Sequence, residues 1–325
     1  SRNQKSFHRI SMLAPSQVLK SRETSATNGC RLATLIKSTV LAITLAGATL
    51  VIFWPVLRGL TYFSLSSAVY SYIPLIPLIT LFWIFDARRR IFLDSKCDFR
   101  LGFVVVALTI LLLYPSQLWN GLSISNRMSG QTSALVCLWI AIFGLCYGTK
   151  ALNKALFPLL FLFFLVPLPD TALTSLIALL QGASAFLSEV ILRILGVPVL
   201  RSGTVLSLPG VDLEVSPQCS GIRSSIALLI LILIGSYLFL RSGWHRLVLV
   251  VAVLPVVIIK NAVRIVSLSL LSVYVDPSFL SGSLHRSGGG LFFVIGLVIL
   301  MPILVFFART ERRLNSTTCI SRTNP

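Results

Sequence analysis

The chain has 325 residues, of which 55% are hydrophobic and 12% charged, with a mean hydropathy of +0.90. Soluble domains carry about 25% charged residues, so this composition excludes an ordinary soluble enzyme and defines an integral membrane protein. The 28 Lys and Arg against 10 Asp and Glu leave a net charge of +18; with no basic segment interleaved with aromatics, the excess reads as a topology signal and no nucleic-acid partner is expected.

Residues 1–38 are polar and basic, longer and more charged than a signal-peptide n-region, and the first apolar run is long enough to span, so it reads as a retained first helix. Apolar runs near the roughly 20 residues needed to cross a bilayer fall at about 39–57, 63–84, 101–118, 132–149, 154–169, 220–240, 247–273 and 289–308. A weaker candidate, 171–195, contains Gln181, Glu189 and Arg193 among several Ser and Thr, which suits an interfacial or re-entrant amphipathic helix. Charge sets the parity. With eight spans and the N-terminus inside, twenty basic residues fall on the cytoplasmic side. Only Arg58, Arg127, Arg193, Arg201 and Arg286 fall outside. Residues 170–219 are then an outer segment, in which "VPVLRSGTVLSLPGVDLEVSPQC" alternates apolar and polar residues around Pro209 and Gly210, the pattern of a short surface hairpin.

The expected fold class is therefore an all-α polytopic membrane protein of about eight transmembrane helices, with an outer-face amphipathic helix and a short surface β-hairpin. The expected divisions are a cytoplasmic basic tail (1–38), an N-terminal four-helix membrane region (39–153), a catalytic membrane core (154–308) and a cytoplasmic tail (309–325). In this topology the protein is a multi-pass protein of the inner or plasma membrane, with both termini cytoplasmic and the lipid bilayer as a partner.

Chemistry is narrowed by elimination. All ten acidic residues fall outside the eight expected spans, which leaves no intramembrane carboxylate pair for an aspartyl protease, a cation site or a proton relay. His8, His245 and His285 show no zinc spacing, and neither a phosphate-binding P-loop nor a GxSxG elbow occurs. No cofactor and no metal site are expected.

Among the six cysteines, Cys30, Cys97 and Cys319 fall on the cytoplasmic side, Cys137 and Cys146 within the fourth span, and Cys219 alone faces outward. A cysteine taken alone is most often a small buried hydrophobe. Cys219, however, precedes a long apolar helix whose N-terminal amides favour a thiolate, with Arg223 one turn on. Arg264 lies 18 residues beyond Arg246, about 27 Å along a helix and so close to the outer boundary, with Lys260 a turn deeper and Asn261 beside it. Both cations can snorkel to headgroups, or serve a developing oxyanion. His285 stands in the glycine-rich loop "SGSLHRSGGG"; such a histidine is ordinarily solvated. Cys219, Arg264 and His285 nonetheless converge on one face, and thiol, guanidinium and imidazole are the parts of acyl transfer through a thioester.

These segments carry a resemblance. "CSGIRS" at 219–224, "KNAVRIV" at 260–266 and "LH" at 284–285 resemble, in order and spacing, the three signature blocks of the exosortase/archaeosortase family of membrane transpeptidase-like cysteine enzymes; "FLVPLPD" at 164–170 is similar too. The resemblance implies Cys219 as nucleophile, Arg264 as the stabilising cation and His285 as general acid and base. Gln218 and Asn261 are possible additional donors, and Arg223 and Lys260 possible supporting cations. The implied partners are secreted proteins bearing a C-terminal sorting signal of the PEP-CTERM kind: a short motif, a hydrophobic helix and a basic tail, cleaved at the outer face. Pro217 and Gln218 before the cysteine, and Arg286 after the histidine, depart from the usual pattern and leave the subfamily and sorting motif open. The alternatives are a non-enzymatic membrane component of polysaccharide or protein export, and a transporter, which would show charged or broken helices near mid-membrane.

Overall fold

The computed structural model describes residues 36–67, 69–92, 122–209, 211–215, 221–276 and 289–320. The chain forms two compact units, Ser1–Pro169 and Asp170–Pro325. Among the described residues, five helices are long and apolar enough to cross a membrane, or six if one bent pair counts as a single span. The expected run 101–118 lies outside the described residues.

In the first unit, α1 (Ile36–Ile52) meets α2 (Trp54–Ser66) at a bend of 70°. Pro55 sits in the first turn of α2, a position where its missing N–H is harmless to α2 but where it cannot extend the ladder of α1. The second expected span, 63–84, is likewise interrupted: turns at 69–74 separate α2 from α3 (Leu75–Asp86). After the short α4 (Arg88–Phe92) comes α5 (Ile124–Lys154), which opens on Ser123, whose hydroxyl accepts the Asn126 N–H at 3.2 Å. This helix breaks at Gly148, whose φ of 81° suits glycine. The expected span 154–169 is instead two short pieces, α6 (Leu156–Phe161) and a 3₁₀ turn (Leu162–Leu165). Trp83, 1% exposed, anchors this unit between Phe157 and Phe161, with ring centroids 5.5 and 4.9 Å away.

The second unit opens with α7 (Asp170–Ile194), the expected amphipathic segment, which by length and composition is also long and apolar enough to cross a membrane. Its buried residues, Leu180, Ser184, Ala185, Ser188 and Leu192, form one stripe at helical spacing. Of the polar residues that suggested an interfacial helix, Arg193, Thr171, Thr174 and Ser175 are exposed and Gln181 and Glu189 half-buried, whereas Ser184 and Ser188 are internal: with Ala185 they admit close approach of α9 (Gly243–Tyr274), and the Ser188 hydroxyl reaches the Ala262 carbonyl at 3.4 Å.

The expected hairpin is present with one strand more. Strands β1 (Leu200–Ser202), β2 (Val205–Leu208) and β3 (Val211–Glu214) form an antiparallel meander in that order, with Leu206 opposite Leu213 and Leu208 opposite Val211. Alternation puts Leu206, Leu208, Leu213 and Val215 on the inner face, where they share a core with Ala185 and Leu192 of α7 and Ile265 and Val266 of α9. Arg201 of β1 bonds Glu189 of α7 at 2.7 Å and pins the edge of the sheet.

Beneath the sheet, α8 (Ile222–Phe239), α9 and α10 (Gly289–Ile320) pack together. The far end of this bundle is closed by Glu311, which accepts the Arg241 and Ser242 backbone N–H groups at 2.6 and 3.0 Å and lies 2.7 Å from His245 Nδ1. A carboxylate at the start of α9 satisfies otherwise orphaned amides.

Candidate active site

The three signature blocks bear on α8, α9 and α10. Gln218, Cys219 and His285 lie outside the described residues, whereas Arg223, Lys260, Asn261 and Arg264 lie within them.

The chain enters α8 through Gly221, whose φ of +70° is left-handed. Only glycine is comfortable there, for a second reason as well: a methyl group would lie 2.9 Å from Asn261 Nδ2 and 3.0 Å from Cγ. The start of α8 therefore rests directly on the Asn261 side chain, which is 1% exposed. Ser224 and Ser225 return their hydroxyls to the Gly221 carbonyl at 2.9 and 2.8 Å, tightening this first turn. Immediately upstream, Gln181 of α7 donates to the Val215 carbonyl at 2.6 Å, and Val215 itself is buried. Both flanks of residues 216–220 are thus fixed, one to α7 and the other to α9.

On α9 the buried residues Val253, Val256, Val257, Lys260, Asn261, Arg264, Ile265 and Leu268 follow helical spacing. Lys260 and Arg264 therefore lie on the stripe that faces the bundle, 1% and 8% exposed. Free snorkelling to headgroups does not describe them. The Lys260 ammonium donates to Ser224 Oγ of α8. Arg264 stands one turn beyond Lys260, and α9 continues ten residues further, to Tyr274, so its Cα lies about 15 Å short of the helix end. Arg223 is exposed, and the structure does not bring it into the buried seam of Gly221, Ser224, Lys260 and Asn261.

The contacts of Ser224, within this seam, and of Gln181, beside it, are not legible in the sequence. Ser224 lies inside the "CSGIRS" block, but nothing local marks a serine as the partner of a lysine 36 positions away. Gln181 suggests a surface helix, but a glutamine in an apolar helix signals equally well a buried carbonyl to be satisfied.

Residues 64–302 match the family model described as Transmembrane exosortase (Exosortase_EpsH). The chain belongs to the transmembrane exosortase family. No curated protein and no solved structure matches it. Membership in the exosortase family carries a general role in processing the sorting signals of secreted proteins, by an enzyme class that is generally cysteine-dependent and resident in the membrane. The matched range includes all three signature blocks and the whole of the Gly221–Asn261 seam.

Proposed function

We propose that this exosortase-family chain cleaves C-terminal sorting signals through a thioester at Cys219, with Arg264 as the oxyanion-stabilising cation and His285 as general acid and base, at the outer face of the inner or plasma membrane. The observation that carries the reading is the seat of Gly221 on Asn261. Cys219 stands two positions before Gly221, a tether of at most about 7 Å, while Arg264 lies one turn from Asn261 on a buried face of α9. These two short separations support reading thiol and guanidinium as parts of one site.

In the reaction, the Cys219 thiolate attacks the scissile carbonyl carbon and the C–N bond electrons move to the leaving amine, which takes a proton from His285. The product is an acyl thioester. An amine or water then adds to it, gives its proton to His285, and the C–S bond breaks to release the Cys219 thiolate. A desolvated guanidinium stabilises the tetrahedral oxyanion more strongly than a hydrated one would. The substrate class is a secreted protein with a short motif, a hydrophobic helix and a basic tail; a helix held in the bilayer supplies the orientation that a soluble protease obtains from a cleft.

The test is release of the tail from a tagged secreted protein in cells expressing wild type, Cys219→Ala, Arg264→Ala or His285→Ala at equal levels. The reading predicts release by wild type and loss in all three variants. Release that persists in Cys219→Ala at the wild-type rate would refute it.

A further inference from the structure

Lys260 is among the most deeply buried large side chains of the protein, and neither the family match nor the proposed chemistry accounts for it. A buried ammonium in an apolar bundle is unfavourable, and a second cation one helical turn away, Arg264, makes it more so. Methionine would fill the same volume without either penalty. Packing is therefore a poor explanation, and what Lys260 touches offers a better one.

Its ammonium donates to Ser224 Oγ, in the first turn of α8. Its neighbour Asn261 seats Gly221, at the entrance to the same helix. Its aliphatic stem lies against α10, where a methyl group at Gly296 would stand 3.4 Å from Lys260 Cδ and 2.7 Å from Leu228 Cδ1. One side chain thus touches two of the helices packed on its own, and these three helices follow or carry the three signature blocks: α8 begins just after Cys219, α9 bears Arg264, and α10 begins just after His285.

We propose that Lys260 is a positioning residue, whose hydrogen bond to Ser224 and contact beside Gly296 hold α8, α9 and α10 in the register the acyl transfer requires. This rests on the assignment of Cys219, Arg264 and His285 above. Lys260 touches no reacting atom in this account; it acts through the first turn of α8.

The experiment compares wild type, Lys260→Met, Ser224→Ala, Ser224→Thr and the double variant Lys260→Met/Ser224→Ala, purified as full chains in detergent. Three quantities are read: tail-release kinetics, the SDS midpoint of unfolding, and the rate of maleimide alkylation of Cys219 as the single remaining cysteine. Lys260→Met is expected to keep or raise the SDS midpoint while lowering kcat at least tenfold with KM within twofold, and to change the alkylation rate at least fivefold. Ser224→Ala should show the same loss, the double variant no further loss, and Ser224→Thr, which keeps the hydroxyl, near wild-type values. A Lys260→Met protein with wild-type kcat and alkylation rate would overturn the proposal even though tail release continued to depend on Cys219. If wild type releases no tail, the assignment of the reaction fails, and the alkylation rates alone decide whether Lys260 positions the start of α8.

Discussion

Replacing Gly221 by alanine tests the contact on which the site is built. The new Cβ would lie 2.9 Å from Asn261 Nδ2 and 3.0 Å from Cγ, on a backbone with φ of +70°. A left-handed alanine costs about 1–2 kcal/mol and an overpacked interior contact about 1–3 kcal/mol, so Gly221→Ala should destabilise the protein by roughly 2–5 kcal/mol. The two contributions separate in a double-mutant cycle. Shortening Asn261 to alanine removes the clash but leaves the backbone strain, so in the Asn261→Ala background Gly221→Ala should cost only about 1–2 kcal/mol. SDS-induced unfolding in mixed micelles of wild type, both single variants and the double variant gives all four values. A coupling below about 0.5 kcal/mol, the level expected of independent sites, would show that Gly221 and Asn261 do not touch, and the placement of α8 on α9 would have to be abandoned.

Other consequences reach further from the site. Glu311→Ala removes the acceptor of two backbone amides and the partner of His245; a cap of this kind is worth about 0.5–2 kcal/mol, so the SDS midpoint should fall, whereas the Cys219 alkylation rate, read below that midpoint, should hold. Trp83→Ala, at a side chain 1% exposed between two phenylalanines, should cost about 3–5 kcal/mol, measured by the same unfolding assay; a loss under about 1 kcal/mol would contradict its place in the core. Ser188→Leu inserts a large side chain where a hydroxyl reaches the Ala262 carbonyl and should separate α7 from α9, read as faster proteolysis of the 200–215 sheet that both helices support; an unchanged digestion rate would exclude that contact.

Much of this architecture is written locally in the chain. Apolar runs located α5, α8, α9 and α10, and the alternation around Pro209 located the β2–β3 turn, because helix and strand periodicities are carried by neighbouring residues. The failures have physical causes. Hydropathy averages over Pro55 and the 69–74 turns, so it reads through a 70° bend and a break that backbone chemistry imposes. The surface reading of α7 rested on its polar residues and on loop charge, but its length and apolar composition also suit a span, and Ser188 and Gln181 serve a helix contact and a buried carbonyl.

The site divides in the same way. Its signature blocks are legible as motifs, and the helical spacing of Lys260 and Arg264 put both on one face. That this face is the buried one, with Lys260 on Ser224 and Gly221 on Asn261, depends on pairings between residues 36 and 40 positions apart. No periodicity within either segment encodes them. The His245–Glu311 closure, 66 positions apart, was invisible for the same reason.

Whether Cys219 carries the acyl group is decided by mass spectrometry of the purified chain after incubation with a tagged sorting-tail substrate in the absence of an amine acceptor. A hydroxylamine-labile adduct is expected on the peptide containing Cys219, of the mass of the cleaved substrate, abundant in wild type, reduced in Arg264→Ala and absent in Cys219→Ala. Release of the tail with no adduct at Cys219 in wild type, and undiminished release in Cys219→Ala, would contradict it.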